Sequence, residues 1–431
     1  MEFESIKIKD TNIKLIDGDR GKNYPKKTEM TSHGHTLFLN NKNISENFLD
    51  DSFGDFITEE KSNSLKKGKL NRNDIVLSTR GSVGNVGFYD SQVKSDNIRI
   101  NSGMIILRND DENFLNEYLY LLFKSPYMQN KFKEFVGGSV QNHLPIRDLQ
   151  HIKIIYPPLF FQAYIVKIIR QIEEKIQINK KLIVNLEELS QTLFKRWFVD
   201  FEFPDEDGNT YKSSRGEMID SELGEIPKNW KVNKLKEFTK KISSGGTPSR
   251  KVKDYWEYGE IMWLKTKEVK EKMIVTTEEN ITDLGLLKSS AKIINENSTV
   301  IAMYGATAGQ IAYLGCKMAT NQACCTIESE YPNFIYNYFV YNANYIKTLS
   351  SGSAQQNLNK KIIEDLKLLV PSLKVLNHYE SSVNSNTSLI KSLTLSNLKL
   401  QELRDTLLPK LMSGELEIPD DMEVNIDELS I

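Results

Sequence analysis

Two closely similar seven-residue motifs lie far apart in this sequence and limit the folds that it can adopt. GSVQNHL at 138–144 returns as GSAQQNL at 352–358, shifted by 214 positions. The same shift relates IIYPPL at 154–159 to LLVPSL at 368–373. A chance match would not extend to its surroundings, so the repeat indicates that a whole structural unit is duplicated.

Further matches lie upstream of this motif in both halves of the chain. TLFLNNKNI at 36–44 corresponds to IMWLKTKEV at 261–269, and DIVLSTRG at 74–81 corresponds to STVIAMYG at 298–305. Glycine-rich turns, GSVGNVG and GATAGQI, follow the second pair. The order is the same in both halves and only the spacing drifts, as surface loops of different length produce. The chain is therefore predicted to be a tandem duplication.

Each copy combines two kinds of sequence pattern. Short β-branched and aromatic runs, such as NSGMIILR and STVIAMYG, alternate with turn residues and predict a strand-rich globular domain with a few helices. A long helix is predicted after Pro157 and Pro158 and again after Pro371, because proline is well tolerated where a helix begins. The predicted fold class is α+β. The first copy is predicted to contain a globular domain at 1–158 and a central helical spacer at 159–199, followed by a linker at 200–226. The second is predicted to contain a globular domain at 227–372 and a C-terminal helical spacer at 373–412, followed by an acidic tail at 413–431.

Both predicted helices carry apolar residues at alternating spacings of three and four. This spacing is typical of a coiled-coil seam, and it has the same phase in the two copies. The seam includes Ile165, Ile169, Ile172, Ile176, Leu186 and Leu193 in the first helix and Val383, Ile390, Leu393, Leu400 and Leu407 in the second. Asn179, Asn386 and Asn397 share the seam and are candidates for fixing its register. We expect the helices to pair as an antiparallel coiled coil that separates the two domains.

Charge is distributed unevenly along the chain. The formal net charge is −2, but seven acidic residues and no Lys or Arg follow Gly414. Two segments, 61–72 and 240–253, each hold five basic residues and no acidic ones. Such clusters are typical of nucleic-acid-binding surfaces, although a solvated surface is the plainer explanation of either one alone. A helix from 165 to 197 would be about 50 Å long, enough to hold two such surfaces a turn of B-DNA or more apart.

Motifs that would make the chain an enzyme are missing from the sequence. Neither Gly-Lys pair continues into the Ser or Thr of a phosphate-binding loop. The stretch YPPL at 156–159 has the prolines of an amino-methyltransferase motif but lacks its polar and aromatic residues. The five histidines and three cysteines show no metal-ligand spacing. No catalytic, cofactor or metal site is predicted in this chain, which we interpret as a recognition protein.

The sequence also predicts a compartment. The first residues, MEFESIKIKD, contain no apolar stretch of signal-peptide length, and no run is long enough to predict a membrane span. Cys316, Cys324 and Cys325 are expected to be ordinary thiols in or near a strand. A cytoplasmic location is therefore expected.

Taken in order, several motifs resemble the DNA-specificity subunit of type I restriction-modification systems. They are GSVQNHL and IIYPPL followed by the first helix and LFKRWFVDFE, then SELGEIPKNWKVNKL, ISSGGTPSR, YGATAGQIAYL, ATNQACC and LLPKLMSGEL. The family's glutamine after the proline motif is Gln162 here, and LKVLNHY in the second copy lacks it. The resemblance implies two target-recognition domains that read the halves of a split, asymmetric sequence in double-stranded DNA.

The resemblance further implies partners that carry out the chemistry. Two modification subunits would dock on the paired helices, bind S-adenosylmethionine and methylate the N6 amino group of a flipped adenine. Restriction subunits, acting as ATP- and Mg-dependent motor-nucleases, would complete the complex. Two alternatives stay open, namely a single-chain DNA methyltransferase or nuclease with fused recognition domains, and a coiled-coil scaffold with no role on DNA.

DNA contacts are expected where the two copies carry Lys, Arg and polar side chains on loops, since these groups reach phosphates and base edges. The candidates are Arg20, Lys22, Asn23, Tyr24, Lys26, Lys42 and Arg80 in the first domain and Ser244, Gly246, Thr247, Ser249, Arg250, Lys265, Lys267 and Tyr304 in the second. Lys42 and Lys267 occupy equivalent positions, which suggests phosphate contacts. Arg80 and Tyr304 are equivalent but different, which suggests base readout. Because the glycine loops differ in sequence, the copies are expected to read different half-sites.

Overall fold

The computed structural model contains two compact units. It describes residues 3–45, 48–135, 143–270, 272–350 and 357–416. Two segments that the structure does not describe, 138–142 and 352–356, make up most of the repeated seven-residue motif. Most of the predicted acidic tail, at 417–431, also lies outside the described residues. The first unit contains residues up to 175 together with those from 400 onward, and the second contains residues 176–399.

The first half of the chain contains a strand-rich domain followed by a long helix. Its strands are β1 Ser5–Lys7, β2 Ile13–Asp17, β3 Thr36–Leu39, β4 Ile44–Ser45, β5 Phe48–Leu49, β6 Asp55–Ile57, β7 Ile75–Ser78, β8 Val86–Phe88, β9 Ile98–Ile100, β10 Met104–Asn109 and β11 Lys153–Ile155. Its helices are α1 Glu59–Ser64, α2 Asn116–Lys124, α3 Pro126–Phe135, α4 Ile146–Leu149 and α5 Leu159–Phe198. The long helix begins directly after the prolines, as predicted.

The second half repeats this order after a short hairpin. The strands are β12 Met218–Ser221 and β13 Gly224–Pro227 in the hairpin, then β14 Lys231–Lys234, β15 Lys241–Ser244, β16 Ile261–Leu264, β17 Met273–Ile274, β18 Glu279–Ile281, β19 Ile293–Ile294, β20 Thr299–Ala302, β21 Ile311–Leu314, β22 Met318–Thr320, β23 Cys324–Glu328 and β24 Lys367–Val370. The helices are α6 Leu235–Phe238, α7 Asp283–Leu287, α8 Pro332–Tyr341, α9 Ala343–Ser350, α10 Lys360–Glu364 and α11 Leu373–Ser413.

Strand order shows that the two domains are copies of one fold. The main sheet runs β2-β10-β7-β8 in the first domain and β15-β23-β20-β21-β17 in the second. A second sheet runs β6-β3-β9 in the first and β18-β16-β22-β19 in the second, and its β3–β9 and β16–β22 pairs are both parallel. The first strand of each domain pairs with the strand before the long helix, β1 with β11 and β14 with β24. The predicted α+β tandem duplication is confirmed.

The glycine-rich stretches are tight turns between the same two strands of each main sheet. In the turn between β7 and β8, Gly81 and Gly84 have φ of 72° and 96°. In the turn between β20 and β21, Gly305 and Gly309 have φ of 75° and 81°. A side chain with a Cβ is disfavoured in this backbone region, so glycine is required at both turns.

The two long helices pack against each other in antiparallel fashion. In the first unit, the beginning of α5, with Ile165 and Ile169, shares a core with Leu408 and Leu411 near the end of α11. In the second unit, the pairing is reversed along the chain, because the end of α5 shares a core with the beginning of α11 around Tyr379. Of the predicted seam residues, Ile165, Ile169, Ile172, Ile176, Val383 and Ile390 are buried and Leu186, Leu193, Leu393, Leu400 and Leu407 are half-buried.

Polar residues on the seam show that its register is regular in the second unit. The amide of Asn179 donates a hydrogen bond to the amide oxygen of Asn397, at 2.9 Å, and both residues are buried. Eleven residues further along α5, Ser190 accepts a hydrogen bond from Asn386 at 3.4 Å, and Asn386 lies eleven residues before Asn397. Equal steps in opposite directions are the pattern of a continuous antiparallel seam. The three predicted asparagines therefore all lie in the interface between the helices.

Aromatic residues near the end of α5 attach it to the second domain. The ring centroid of Phe198 lies 4.8 Å from those of Phe334 in α8 and Tyr379 in α11. Pairs of this kind contribute about 0.5–1.5 kcal/mol each beyond the area they bury. None of the described helices combines the length and apolar character needed to cross a membrane.

Candidate nucleic-acid interface

The predicted DNA-contacting loops leave the main sheet at the same place in both domains. Each follows the first strand of the main sheet, β2 or β15. Each packs on the backbone that leads into the last strand of that sheet along the chain, β10 or β23. A Cβ on Gly18 would lie 2.1 Å from the carbonyl oxygen of Asn101, and one on Gly245 would lie 1.9 Å from that of Thr320. Only glycine permits this approach, so the two loops begin from one shared framework.

In the first domain, this loop holds some candidate residues in place and leaves others exposed. The guanidinium of Arg20 donates to Asp17, at 3.1 Å, and the side-chain amide of Asn23 donates to the backbone oxygen of Ser64, at 3.0 Å. The Tyr24 ring packs edge-on against Phe38, with centroids 5.6 Å apart. Lys22 and Lys26 are exposed and available to a ligand.

Each copy of the repeated seven-residue motif ends beside one further candidate residue. Arg80 forms an isolated antiparallel bridge with His143, and Tyr304 forms one with Asn357. The leucine after each of these partners donates its amide to the end of the neighbouring strand, at 3.0 Å in the first domain and 2.8 Å in the second. The last two residues of the motif therefore make the same backbone contacts in both copies, beside a predicted base-reading side chain.

His143 lies close to two candidate arginines of the first domain, Arg80 and Arg20. Burial lowers the pKa of the His143 imidazole, and Arg80 and Arg20 lower it further, while Asp17 and Asp148 oppose the shift. The side-chain amide of Asn41 donates to the backbone oxygen of Arg80, at 2.7 Å, and brings the loop of Lys42 against the strand end of Arg80. Arg20, Lys42 and Arg80, which are distant in sequence, thus belong to one region of the domain.

In the second domain, the candidate Arg250 is held by aromatic rings and a carboxylate. Its guanidinium carbon lies 3.6 Å from the centroid of Trp256 and 5.0 Å from that of Trp263. The same group forms an ion pair with Glu279. A guanidinium that is stacked and paired in this way has a fixed orientation.

Two candidate lysines of the second domain belong to the same charged cluster. The Lys265 ammonium lies 2.9 Å from Glu278 and 2.7 Å from Glu279, and the Lys267 ammonium lies 2.6 Å from Glu278. Hydrogen bonds from Lys267 and Lys265 lower the pKa of Glu278 to about 2, so the carboxylate is ionised at any pH near neutrality. Arg250, Lys265 and Lys267 are therefore brought together by two acidic residues that sequence reasoning did not select.

The remaining candidates of the second domain differ in accessibility. Ser249 is exposed, Tyr304 is 42% exposed, and the Thr247 hydroxyl donates to the side-chain oxygen of Gln322. Ser244 is half-buried at the end of β15. Gly246 is buried, so the structure gives it a packing role instead of the surface position expected from sequence.

Contacts of Gly246 explain why its loop is rich in glycine. Its carbonyl accepts a hydrogen bond from the Trp263 indole, at 2.9 Å. A Cβ at this position would lie 2.2 Å from the hydroxyl oxygen of Ser290. The glycine therefore lets the loop lie against the domain below it while Ser249 and Arg250 stay at the surface.

The site contains the elements of DNA recognition but no arrangement typical of a metal centre. Among the described ranges, no three His, Cys, Asp or Glu side chains cluster as metal ligands would. Cys324 and Cys325 lie buried in β23 as free thiols, and Cys316 is half-buried and free.

Comparison with known proteins agrees with this duplicated architecture. The model of the family described as "Type I restriction modification DNA specificity domain" matches residues 2–188 and, separately, residues 227–378. The chain belongs to this family. One match falls on each copy of the repeat, so the resemblance inferred from sequence motifs is confirmed.

Relatives of this family match the chain along most of its length. The MjaIX specificity subunit of Methanocaldococcus jannaschii is 26% identical, with 84% of this chain and 82% of the relative covered. The HindI specificity subunit of Haemophilus influenzae is 24% identical, with 93% and 98% covered. The crystal structure of a type I restriction-modification S subunit from M. genitalium has a TM-score of 0.55 at 16% identity and covers 98% of this chain and 97% of its own. This last likeness shows a shared fold.

Proposed function

We propose that this chain is the sequence-recognition subunit of a type I restriction-modification complex. Each of its two strand-rich domains reads one half of a bipartite, asymmetric target in double-stranded DNA. The paired helices set the distance between the two half-sites. The chain itself carries out no chemistry.

The main support is that the two domains share one framework and display different side chains on it. The glycine contacts of Gly18 and Gly245 are equivalent, yet Tyr24 packs on the central aromatic residue of one domain and Arg250 packs on that of the other. A framework that is kept while its exposed residues change is what two readers of different sequences require. Identical half-sites would have favoured identical loops.

The paired helices also provide a surface on which partner subunits can dock. Ile178, Leu182 and Leu189 lie on one side of α5 and are 52%, 44% and 56% exposed. Exposed apolar residues in a row are typical of an interface for another helix. We propose that two modification subunits bind there, that they use S-adenosylmethionine to methylate adenine N6, and that ATP- and Mg-dependent restriction subunits join the same complex.

Mapping methylated adenines in the host genome, with and without this gene, tests the proposal. A split motif should be methylated in the presence of the gene and unmethylated after its deletion. The purified chain should show no methyltransferase activity alone and should confer the split motif on a co-purified modification subunit. Methylation by the chain alone, or a motif that survives deletion, would contradict the proposed role.

The residue assignments are tested by binding to the split motif and to unrelated DNA. Arg250→Ala is expected to weaken binding to the motif more than binding to unrelated duplexes, because a base contact is specific. An equal loss on both would make Arg250 a phosphate contact.

A further inference from the structure

The second domain surrounds its predicted DNA-contacting cations with carboxylates of its own. Glu278 lies between Lys265 and Lys267, at 2.9 and 2.6 Å, and Glu279 connects Lys265 to Arg250. Three positive side chains on this surface are therefore ion-paired with the carboxylates of Glu278 and Glu279, and the carboxylate of Glu268 accepts hydrogen bonds from the backbone amides of Lys265 and Glu278. Carboxylates on a DNA-binding surface are unexpected, since the phosphates of the ligand repel them.

The first domain has no counterpart of Glu278. Strand register defines the equivalence, because Phe38 in β3 pairs with Asp55 as Trp263 in β16 pairs with Glu279. Glu279 therefore corresponds to Asp55, and Glu278 corresponds to Gly54. A Cβ on Gly54 would lie 2.8 Å from Leu37, and its φ of 146° disfavours any side chain, so a carboxylate cannot be accommodated there.

The lysine equivalent to Lys267 has no such carboxylate beside it among the described residues. Lys42 is exposed, and within the described part of the chain its ammonium has no ion pair. The two domains thus present the same lysine to a ligand in two electrostatic states. Among the described residues no carboxylate pairs with Lys42, so its ammonium can bind a phosphate directly, whereas Lys267 must first give up the carboxylate of Glu278.

Binding to DNA of arbitrary sequence depends almost entirely on phosphate contacts and the counterions they release. A carboxylate that already occupies a lysine removes most of the gain from such a contact. Base contacts in a correct half-site do not depend on that lysine and can compensate for the competition. A neutralised cation therefore weakens binding to incorrect sequences more than binding to the correct one.

We propose that Glu278 determines the specificity of the second domain by competing with DNA phosphates for Lys265 and Lys267. This role builds on the proposed function, because it presumes that the surface binds DNA. Glu279 has a different part, since it positions Arg250 against the tryptophan rings. Glu278 is the cleaner site for a test, because its side chain is 54% exposed and its ion pairs with described residues are those with the two lysines.

Glu278→Gln in the full-length chain, assembled with its modification subunit, tests the proposal. The ligand is a duplex of random sequence, and binding is measured over a series of salt concentrations. The variant should bind this duplex about threefold more tightly at ~0.1 M salt, and its affinity should fall more steeply with salt, by about one unit of slope. The ratio of affinities for the methylated split motif and the random duplex should fall accordingly.

Glu330→Gln is the matched control. Glu330 forms an exposed ion pair with Lys240, at 3.2 Å, at the opposite end of β15 from the DNA-contacting loop. It changes the net charge equally and should alter neither the affinity nor the slope. If the two variants behave alike, the effect is one of net charge and the proposal is wrong.

A second variant separates a local role of Glu278 from other causes. Adding Lys267→Gln to Glu278→Gln should remove at least half of the gained affinity, because the freed lysine is its source. A gain that persists in full would contradict the proposal. Failure of the proposed function would look different, since wild-type protein and both variants would then show no salt-dependent DNA binding.

Discussion

The two copies fix their long helices to their domains with different residues at neighbouring positions. In the first copy, the buried Gln162 of α5 accepts a hydrogen bond from the amide of Leu115, just before α2, at 2.9 Å. In the second copy, Glu380 of α11 accepts hydrogen bonds from the amides of Asn333 and Phe334 in the first turn of α8, at 3.3 and 2.8 Å. Both side chains therefore cap the beginning of the equivalent helix.

The two copies have therefore kept the contact between the long helix and the beginning of the short helix, but a different residue makes it in each copy. At the shift of 214, Gln162 corresponds to Leu376, which lies four residues, or about one helical turn, before Glu380. The two capping side chains thus lie on the same face of their helices, one turn apart. This explains why the second copy lacks the family's glutamine without losing the attachment of its helix.

Removing one cap should have the largest effect of the changes considered. Glu380→Ala deletes the acceptor for two buried backbone amides and for the side-chain amide of Asn333, which donates at 2.8 Å. We expect a loss of about 2–3 kcal/mol in the free energy of unfolding, measured with urea, since unsatisfied buried donors are costly. Gln162→Ala should cost a similar amount, and Glu402→Ala on the exposed face of α11 should cost almost nothing. Equal stability of the Glu380 and Glu402 variants would contradict the assigned cap.

The pH dependence of stability distinguishes the two caps. Burial raises the pKa of Glu380, although the hydrogen bonds from Phe334 and Asn333 oppose the shift. In the unfolded chain its ordinary pKa is 4.5, so above pH 4.5 the folded state binds more protons than the unfolded state. The contribution of this group is fully present below pH 4.5 and declines as pH rises through the folded pKa.

Glu380→Gln should therefore remove part of the decline in unfolding free energy that begins near pH 4.5. Other titrating groups contribute equally to both proteins and cancel in the difference between wild type and variant. The cap formed by Gln162 cannot titrate, so Gln162→Glu should introduce a dependence of the same sign in the first copy. A difference curve that is flat between pH 4 and 8 would show that Glu380 does not titrate as its burial implies.

The asparagine pair on the helical seam should give an intermediate effect. Asn397→Leu leaves the buried Asn179 without its partner and should cost about 2 kcal/mol of unfolding free energy. Replacing both residues by leucine should recover this loss and relax the register that the pair specifies. Asn386→Leu is the matched control, because Asn386 is only half-buried and its hydrogen bond to Ser190 is long, at 3.4 Å. A double variant as unstable as the single one would contradict this interpretation.

Local patterns were sufficient to predict the helices, the seam and the duplication. Heptad spacing selected eleven apolar residues of α5 and α11, of which six are buried and five half-buried, and asparagines within that spacing meet in the interface, as Asn179 and Asn397 do. The glycine turns were predictable because a positive φ restricts the residue type wherever it occurs. These features appear as patterns of residue type along the chain, so they can be recognised without knowing which distant residues are in contact.

The candidate site was predicted less completely, because its contacts join distant residues. Arg250 and Lys265 were selected as basic side chains on loops, but the carboxylates that pair with them lie at the beginning of a neighbouring strand and just before it. Gly246 was selected for its loop and is buried under a residue 44 positions away, Ser290. A signal for Glu279 did exist, since Asp55 is its counterpart in the first copy, but recognising it required the strand register.

The smallest expected effect compares Lys42 with Lys267, which occupy equivalent positions in the two domains. Lys42→Ala should reduce the salt dependence of binding to a random duplex by about one unit of slope, as the loss of one phosphate contact does. Lys267→Ala should reduce it by less, because Glu278 already occupies that ammonium at 2.6 Å. Lys133→Ala, which changes an exposed lysine in α3, serves as the control for net charge.

If Lys42 and Lys267 contribute equally, the carboxylate does not compete with phosphate, and the two domains bind the DNA backbone alike despite their different surfaces. If Lys267 contributes less, the first domain supplies more of the sequence-independent affinity, and the second is the more selective reader of the pair.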